Sequence, residues 1–295
     1  MGEAGAISDV RRAYGVPDAL RLKVDEREAL AWLPGYEVAV REVAAHPESL
    51  PGAGLGGRRG LRRVRTADGP VLVREYGKGG LLRALRGRLF RGAWRPLEEL
   101  VLQRRLLALG VPVSEAVGCV VLRRPGGWRG FLLLREVEQA LDLEAVLYGQ
   151  RPPCRAARRV LLERAGVAVR ALHDAGVPHP DLHPKNLLVT SEGRVLVLDL
   201  DRARPCEGLL PEETRLSNLV RLGRSVEKHR LKGLKAGRRD ALRFLTGYAG
   251  SREAAARWLD RVRERLGRGL ALRQLWWRLS GEARPWRPAT HESEG

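Results

Sequence analysis

Long apolar runs are missing from this chain of 295 residues. A helix that crosses a bilayer needs about 20 consecutive apolar residues, so no membrane-spanning helix is expected. The N-terminus, Met1-Gly2-Glu3-Ala4-Gly5-Ala6, has no basic segment ahead of an apolar core, and no secretory signal is expected. Cysteine is also scarce. Cys119, Cys154 and Cys206 are odd in number, scattered, and at no metal-ligand spacing, which suits a reducing compartment and argues against a disulfide framework. Lysine is nearly absent, with six among 54 basic residues. A G+C-rich genome explains the preference for arginine, but not the excess of positive over negative charge. A formal net charge of +19 attracts phosphates, whether on nucleotides, nucleic acids or anionic lipids.

What is present is a foldable chain. The hydrophobic content of 44%, in regular periods, argues against disorder. The length allows one two-lobed domain or two small ones. Residues 1–50 read as an N-terminal extension of uncertain role, with one apolar piece at Ala29–Leu33. A glycine-rich loop, Pro51–Gly60, precedes strand signals at Leu61–Arg65 and Val71–Tyr76, joined by the turn Ala67-Asp68-Gly69-Pro70. A helix is expected from Pro96 to Gly110, with proline in its first turn and glycine at its end. Strand-like runs follow at Gly118–Leu122 and Gly130–Leu134, then a hinge near Arg135–Glu138. Beyond it Leu161, Ala165, Ala168 and Leu172 recur as one helical stripe. The order predicts an α+β chain with two lobes around a cleft: a small, mostly β lobe over 51–137 and a mostly helical lobe over 138–295.

The richest stretch is Leu172–Leu188. It places Asp181, and Asn186 five residues later, on one loop after a helix; Asp199 and Asp201 follow the apolar strand Val195–Leu198. A loop carboxylate can aim a hydroxyl and take its proton, which makes Asp181 the candidate base. Asn186 can offer an amide oxygen and Asp199 a charged oxygen to a hard cation such as Mg²⁺. A lone loop aspartate is usually a turn former; the joint pattern points to phosphoryl transfer from a nucleotide with a divalent metal. Within the glycine run, Gly56, Gly57 and Gly60 either close over phosphates through backbone N–H groups or form a plain flexible loop.

Leu172–Leu188 resembles the catalytic loop of the protein-kinase-like superfamily, and Leu198–Asp201 resembles its metal-binding element with aspartate in place of the glycine. Three pieces, Arg74–Leu81, Asp199–Arg204 and Asn218–Lys228, together resemble the lipopolysaccharide core kinases, in particular the 3-deoxy-D-manno-octulosonic acid (Kdo) kinases. The resemblance covers roughly residues 50–235 and implies a two-lobed kinase-like fold. It makes Asp181 the base, Asn186 and Asp199 metal ligands, and His179 an anchor of the loop. Asp201 either assists the metal or caps the next turn. The phosphate-holding cation is Arg74, where the superfamily has lysine, or else Lys78. Its acidic partner is Glu99, which shares a helix face with Leu102, Leu106 and Leu109, rather than Glu98. The implied cofactors are ATP and Mg²⁺, and the implied acceptor is a Kdo-bearing lipid A precursor or core oligosaccharide.

Two basic, tryptophan-bearing stretches, Leu81–Arg95 and Leu270–Arg287, suit the surface of an anionic bilayer, the alternative being a solvated basic face with the tryptophans packed inward. A cytoplasmic protein peripheral to the inner membrane is therefore expected. On the Asn218 helix, Asn218, Arg221, Ser225 and Lys228 form a polar face that lines an acceptor site or meets water. Three other readings compete. A Ser/Thr kinase needs an activation segment for which there is little room after Asp201. A small-molecule phosphotransferase needs no basic tryptophan surfaces. Against a nucleic-acid binder or idle scaffold stand the absence of any nucleic-acid motif and the retention of Asp181, Asn186 and Asp199.

Overall fold

The computed structural model describes residues 3–54, 60–77, 94–149, 153–230 and 236–267. These fall into two compact units, the first made of 1–108 and 114–136, the second of 109–113 and 137–295. The α+β class expected from the sequence is the one observed.

The first unit is built on an antiparallel sheet of order β1-β2-β5-β6-β4-β3. Its strands are β1 (Arg21–Val24), β2 (Glu28–Trp32), β3 (Leu61–Thr66), β4 (Gly69–Glu75), β5 (Ala116–Arg124) and β6 (Gly127–Arg135). The central strands read as continuous apolar runs because both faces of the sheet are covered. On one face Leu30, Trp32, Val71, Val73, Val120, Phe131 and Leu133 pack with Ala39, Val40 and Val43 of α2 (Glu37–Ala45). On the other, Ala31, Cys119 and Leu132 pack with Val10 of α1 (Glu3–Tyr14) and with Leu97 and Leu100 of α3 (Arg95–Ala108). Adjacent residues of one strand, such as Phe131 and Leu132, thus enter opposite cores, as the two-residue period requires. Residues 1–50 carry two strands and two helices of this unit. Leu109, expected on the buried helix stripe, is exposed beyond the end of α3.

The second unit holds a small antiparallel sheet, β7 (Leu141–Asp142), β8 (Leu187–Val189) and β9 (Val195–Val197). Its helices are α4 (Leu143–Tyr148), α5 (Arg155–Asp174), α6 (Glu212–Arg230), α7 (Arg238–Ala249) and α8 (Arg252–Gly267). Leu162, Ala165, Ala168, Val169 and Leu172 form the buried stripe of α5; the stripe passes through Leu162 rather than Leu161. Helices α5 and α7 meet through glycine. A Cβ at Gly247 would strike the backbone of Glu163, and one at Gly166 the carbonyl of Phe244. The close approach draws α7 against α5 and brings Tyr248 to His173 near the C-terminal end of α5.

Candidate active site

Helix α5 stops at Asp174, and the chain reverses through Gly176 at φ +75°. Further along, His183 is extended, as the residue before a proline prefers, and Pro184 starts a 3-10 turn to Asn186 with its φ already set. Strands β8 and β9 then pair antiparallel, and the residue-198 peptide is gripped on both sides. Its N–H donates to the carbonyl of Asn186 at 2.9 Å, and its carbonyl accepts from His179 Nε2 at 2.9 Å. Asp199 follows directly with φ +61°, in the left-handed region that non-glycine residues seldom occupy. Residue strain of this kind persists where the surroundings over-determine the backbone; here a clamp does so immediately before it.

Asn186 is buried and its Nδ2 donates to the carbonyl of Asp181 at 3.1 Å. That bond ties residues 181 and 186 together and leaves Oδ1 as the atom for a cation. Asp199 is exposed and adds a charged oxygen. Among the described residues no cluster of three or more His, Cys, Asp or Glu side chains is set to hold a metal. The donor set, one amide and one or two carboxylates, fits a hard cation that takes its other ligands from phosphate and water. Asp201 opens the turn after Leu200, whose carbonyl accepts from Ala203 N–H at 2.9 Å.

Asp181 is half-buried. Its Oδ1 takes a hydrogen bond from Arg221 Nη2, and its Oδ2 lies 3.7 Å from His183 Nε2. Burial pushes its carboxyl up, but the bond from Arg221 and the neighbouring positive charges outweigh this and hold it below the usual range. His179 is buried, and burial lowers its pKa. Because a carbonyl only accepts, the neutral ring must carry its proton on Nε2 to bond Leu198; His179 is a positioning residue.

Under the loop lies a buried hydrogen-bonded chain. The backbone N–H of His179 donates to Asn218 Oδ1 at 2.5 Å. An N–H can only donate, so the oxygen of that amide is assigned, and His173 Nε2, 3.1 Å from the same atom, must donate too. His173 Nδ1 then accepts from the Tyr248 hydroxyl at 2.8 Å. Burial pushes the His173 pKa down to about 4, so the ring is neutral at pH 7. Arg215 closes the chain, donating to the carbonyl of His173 and to Asp174.

In the first unit, Arg74 of β4 pairs with Glu99 of α3, and the Tyr76 hydroxyl donates to the same carboxylate oxygen. Glu99 is buried, while Glu98, the other glutamate of the first turn, is exposed. The second oxygen of Glu99 accepts from Gln103 Nε2 at 3.1 Å, and Gln103 Oε1 accepts from Ser114 Oγ at 3.2 Å. The Arg74 guanidinium also sits 5.0 Å from the centre of the Tyr76 ring.

Gly60 lies just ahead of β3 at φ +94°. Gly56, Gly57 and Lys78 lie outside the described residues, as do most of Leu81–Arg95 and all of Leu270–Arg287. The described end of the first basic stretch packs inward: Trp94 lies 5.3 Å from the Tyr14 ring, and Arg95 lies over Tyr76. Asn218 is not on an open polar face; it is buried. Sequence reasoning also passed over Tyr76 and Gln103, which hold Glu99. It missed Glu144, a buried carboxylate on α4 that lies 3.5 Å from Lys185 Nζ and 3.2 Å from His229 Nε2. An N-cap signal was available there, since Asp142 accepts from Ala145 N–H at 2.8 Å.

The profile of the lipopolysaccharide kinase (Kdo/WaaP) family matches residues 53–248. The 3-deoxy-D-manno-octulosonic acid kinase of Xanthomonas oryzae pv. oryzae (strain PXO99A) is 33% identical over 191 residues, covering 62% of this chain and 71% of that protein. The 3-deoxy-D-manno-octulosonic acid kinase of Vibrio vulnificus (strain YJ016) is 28% identical over 181 residues, covering 60% and 73%. One solved structure, the yeast RNA Pol II CTD kinase CTDK-1 complex, overlaps with a TM-score of 0.33 at 14% identity, over 51% of this chain and 45% of that one. So loose an overlap adds nothing to the reading.

Proposed function

The chain belongs to the lipopolysaccharide kinase (Kdo/WaaP) family, and from that premise we propose that it phosphorylates a hydroxyl of a Kdo residue on a lipid A precursor, with ATP as donor. Family membership makes it a phosphotransferase that acts on a sugar hydroxyl. The observation that carries the finer reading is the clamp on the residue-198 peptide, which ties Asn186 and the Asp181 loop to Asp199 through hydrogen bonds.

In this reading Asp181 orients the acceptor hydroxyl and takes its proton as the oxygen attacks the γ-phosphorus. Asn186 and Asp199 would hold Mg²⁺, with Asp201 as a further candidate ligand. Bound magnesium would neutralise charge on the phosphate oxygens. Arg74 supplies the cation for the nucleotide phosphates. Its fork suits phosphate oxygens, and Glu99, buttressed by Tyr76 and Gln103, fixes its direction. Gly60, with Gly56 and Gly57, belongs to the phosphate-covering loop, and Lys78 is a second candidate cation. His179 holds the loop and transfers no proton.

We also propose that the protein works at an anionic membrane surface. The net charge of +19 supports this, since each basic residue near such a surface adds about 1 kcal/mol of attraction. Among the described residues no helix is long and apolar enough to cross a membrane.

The test is to incubate the protein with ATP, Mg²⁺ and a Kdo-bearing lipid A precursor and weigh the lipid. A gain of one phosphate is expected, and Asp181→Asn, folded by circular dichroism, should lose it. No gain with wild-type protein beside an active control kinase removes the reading.

A further inference from the structure

Asp181, the group proposed to take the acceptor's proton, does not stand open. Arg221, on the third turn of α6, lays its guanidinium against Oδ1. Among the described residues Asp181 is the one carboxylate paired with Arg221, and both side chains stay accessible, at 44% and 51% exposed. An ion pair so exposed contributes little to stability, typically about 0–1 kcal/mol. It is also a poor resting state for a base, because the cation occupies the oxygen that should receive a proton. A pair that adds little to the fold and obstructs the chemistry calls for a reason, and a substrate that can break it supplies one.

We infer that Arg221 is the residue that reads the acid group of the acceptor, exchanging Asp181 for the substrate's own carboxylate. This rests on the kinase reading above. A sugar acid carries a carboxylate a few bonds from its hydroxyls, and a guanidinium fork meets a carboxylate with two parallel hydrogen bonds. When the sugar's carboxylate takes the fork, Oδ1 of Asp181 is released for the sugar's hydroxyl. One exchange thereby seats the acceptor and unblocks the base. The hydroxyl oxygen then bonds to the γ-phosphorus, the bond from that phosphorus to the bridging oxygen breaks, ADP leaves with the electron pair, and the proton goes to Asp181. Neutral alcohols bind a guanidinium more weakly than a carboxylate does, so an acceptor without an acid group gains less from Arg221. His183 Nε2 lies 3.7 Å from the other oxygen of Asp181.

The experiment compares two acceptors, a synthetic Kdo glycoside and its methyl ester, with ATP and Mg²⁺, in wild type, Arg221→Gln and Arg221→Lys. Wild type should favour the acid over the ester in kcat/KM by about 10- to 100-fold, the size expected for a charge-assisted, two-pronged contact. Arg221→Gln should bring that ratio to about one by losing activity on the acid, and Arg221→Lys, with charge but no fork, should fall between. A ratio that survives Arg221→Gln overturns the inference, as does a wild type that treats acid and ester alike. Wild-type protein inactive on both acceptors refutes the kinase reading itself, and this inference with it. Equal melting temperatures across the three proteins keep a folding defect from imitating the result.

Discussion

Replacing Asn218 with alanine removes the one acceptor shared by two buried donors, the N–H of His179 and Nε2–H of His173. Both residues are essentially inaccessible. A buried donor left without a partner costs about 1–3 kcal/mol, so the pair loses about 2–6 kcal/mol, nearer the lower end if water enters the space. For a domain of about 150–250 residues each kcal/mol moves the melting temperature by about 2–4 °C, and a fall of roughly 5–20 °C is expected by calorimetry. Asn218→Asp separates this from a simple packing defect. The carboxylate still accepts both bonds but places an anion beside His173. In wild type the folded His173 has a pKa of about 4 against 6.5 for the unfolded ring. The unfolded chain therefore binds the extra proton first. This contribution is complete above pH 6.5 and is lost as the pH falls towards 4, about 3 kcal/mol in all. In Asn218→Asp the imidazolium gains a partner, so that loss should shrink or reverse. Urea titrations at pH 7.5, 6 and 5 read both effects. An alanine variant that melts within about 2 °C of wild type, or an aspartate variant with the wild-type pH slope, would refute the network.

The other predictions concern the remaining elements. Glu99→Gln removes the carboxylate paired with Arg74; because Arg74 is 21% exposed, the cost should be on the order of 2–4 kcal/mol, below that of a fully buried pair. Its KM for ATP should rise about 10-fold, and an unchanged KM would remove Arg74 from the nucleotide site. Asp199→Asn should fold normally, since asparagine tolerates a positive φ, yet lose Mg²⁺-dependent turnover. Asp199→Val should be destabilised as well, by about 1–3 kcal/mol of backbone strain; equal stability of the two variants would show that residue 199 is not held left-handed. Gly247→Ala drives a methyl into the backbone of Glu163 and should cost about 1–3 kcal/mol, while a melting temperature unchanged from wild type would mean that α5 and α7 do not approach as closely as described.

Local order was legible in the chain because it follows from short-range periods. The apolar runs that became β5 and β6 stood out, since strands covered on both faces cannot afford polar residues. The choice of Glu99 over Glu98 followed from the apolar face of its helix, and the structure buries the first and exposes the second. The loop carrying Asp181 and Asn186 showed through proline, histidine and aspartate at fixed offsets. Contacts made across long stretches of chain were not legible. Strand β1, Arg21–Val24, is short and half polar, and owes its place to pairing with β2, itself held by β5. Asn218 shares helical spacing with Arg221 and Lys228 and looks polar by that count. It is buried because the donors that need it come from 39 and 45 residues away.

The sequence alone determined the chemical vocabulary: an acid and an amide on one loop, a carboxylate at a strand end, an arginine with a glutamate to hold it, and a large positive charge. Those depend on which atoms are present and on spacings of a few residues. Only the tertiary structure decided which partner each group faces. It set Arg221 against Asp181, Asn218 beneath His179, and the residue-198 peptide between two clamps. Hydrogen bonds and ion pairs act over a few ångströms, and folding alone decides which distant residues come that close.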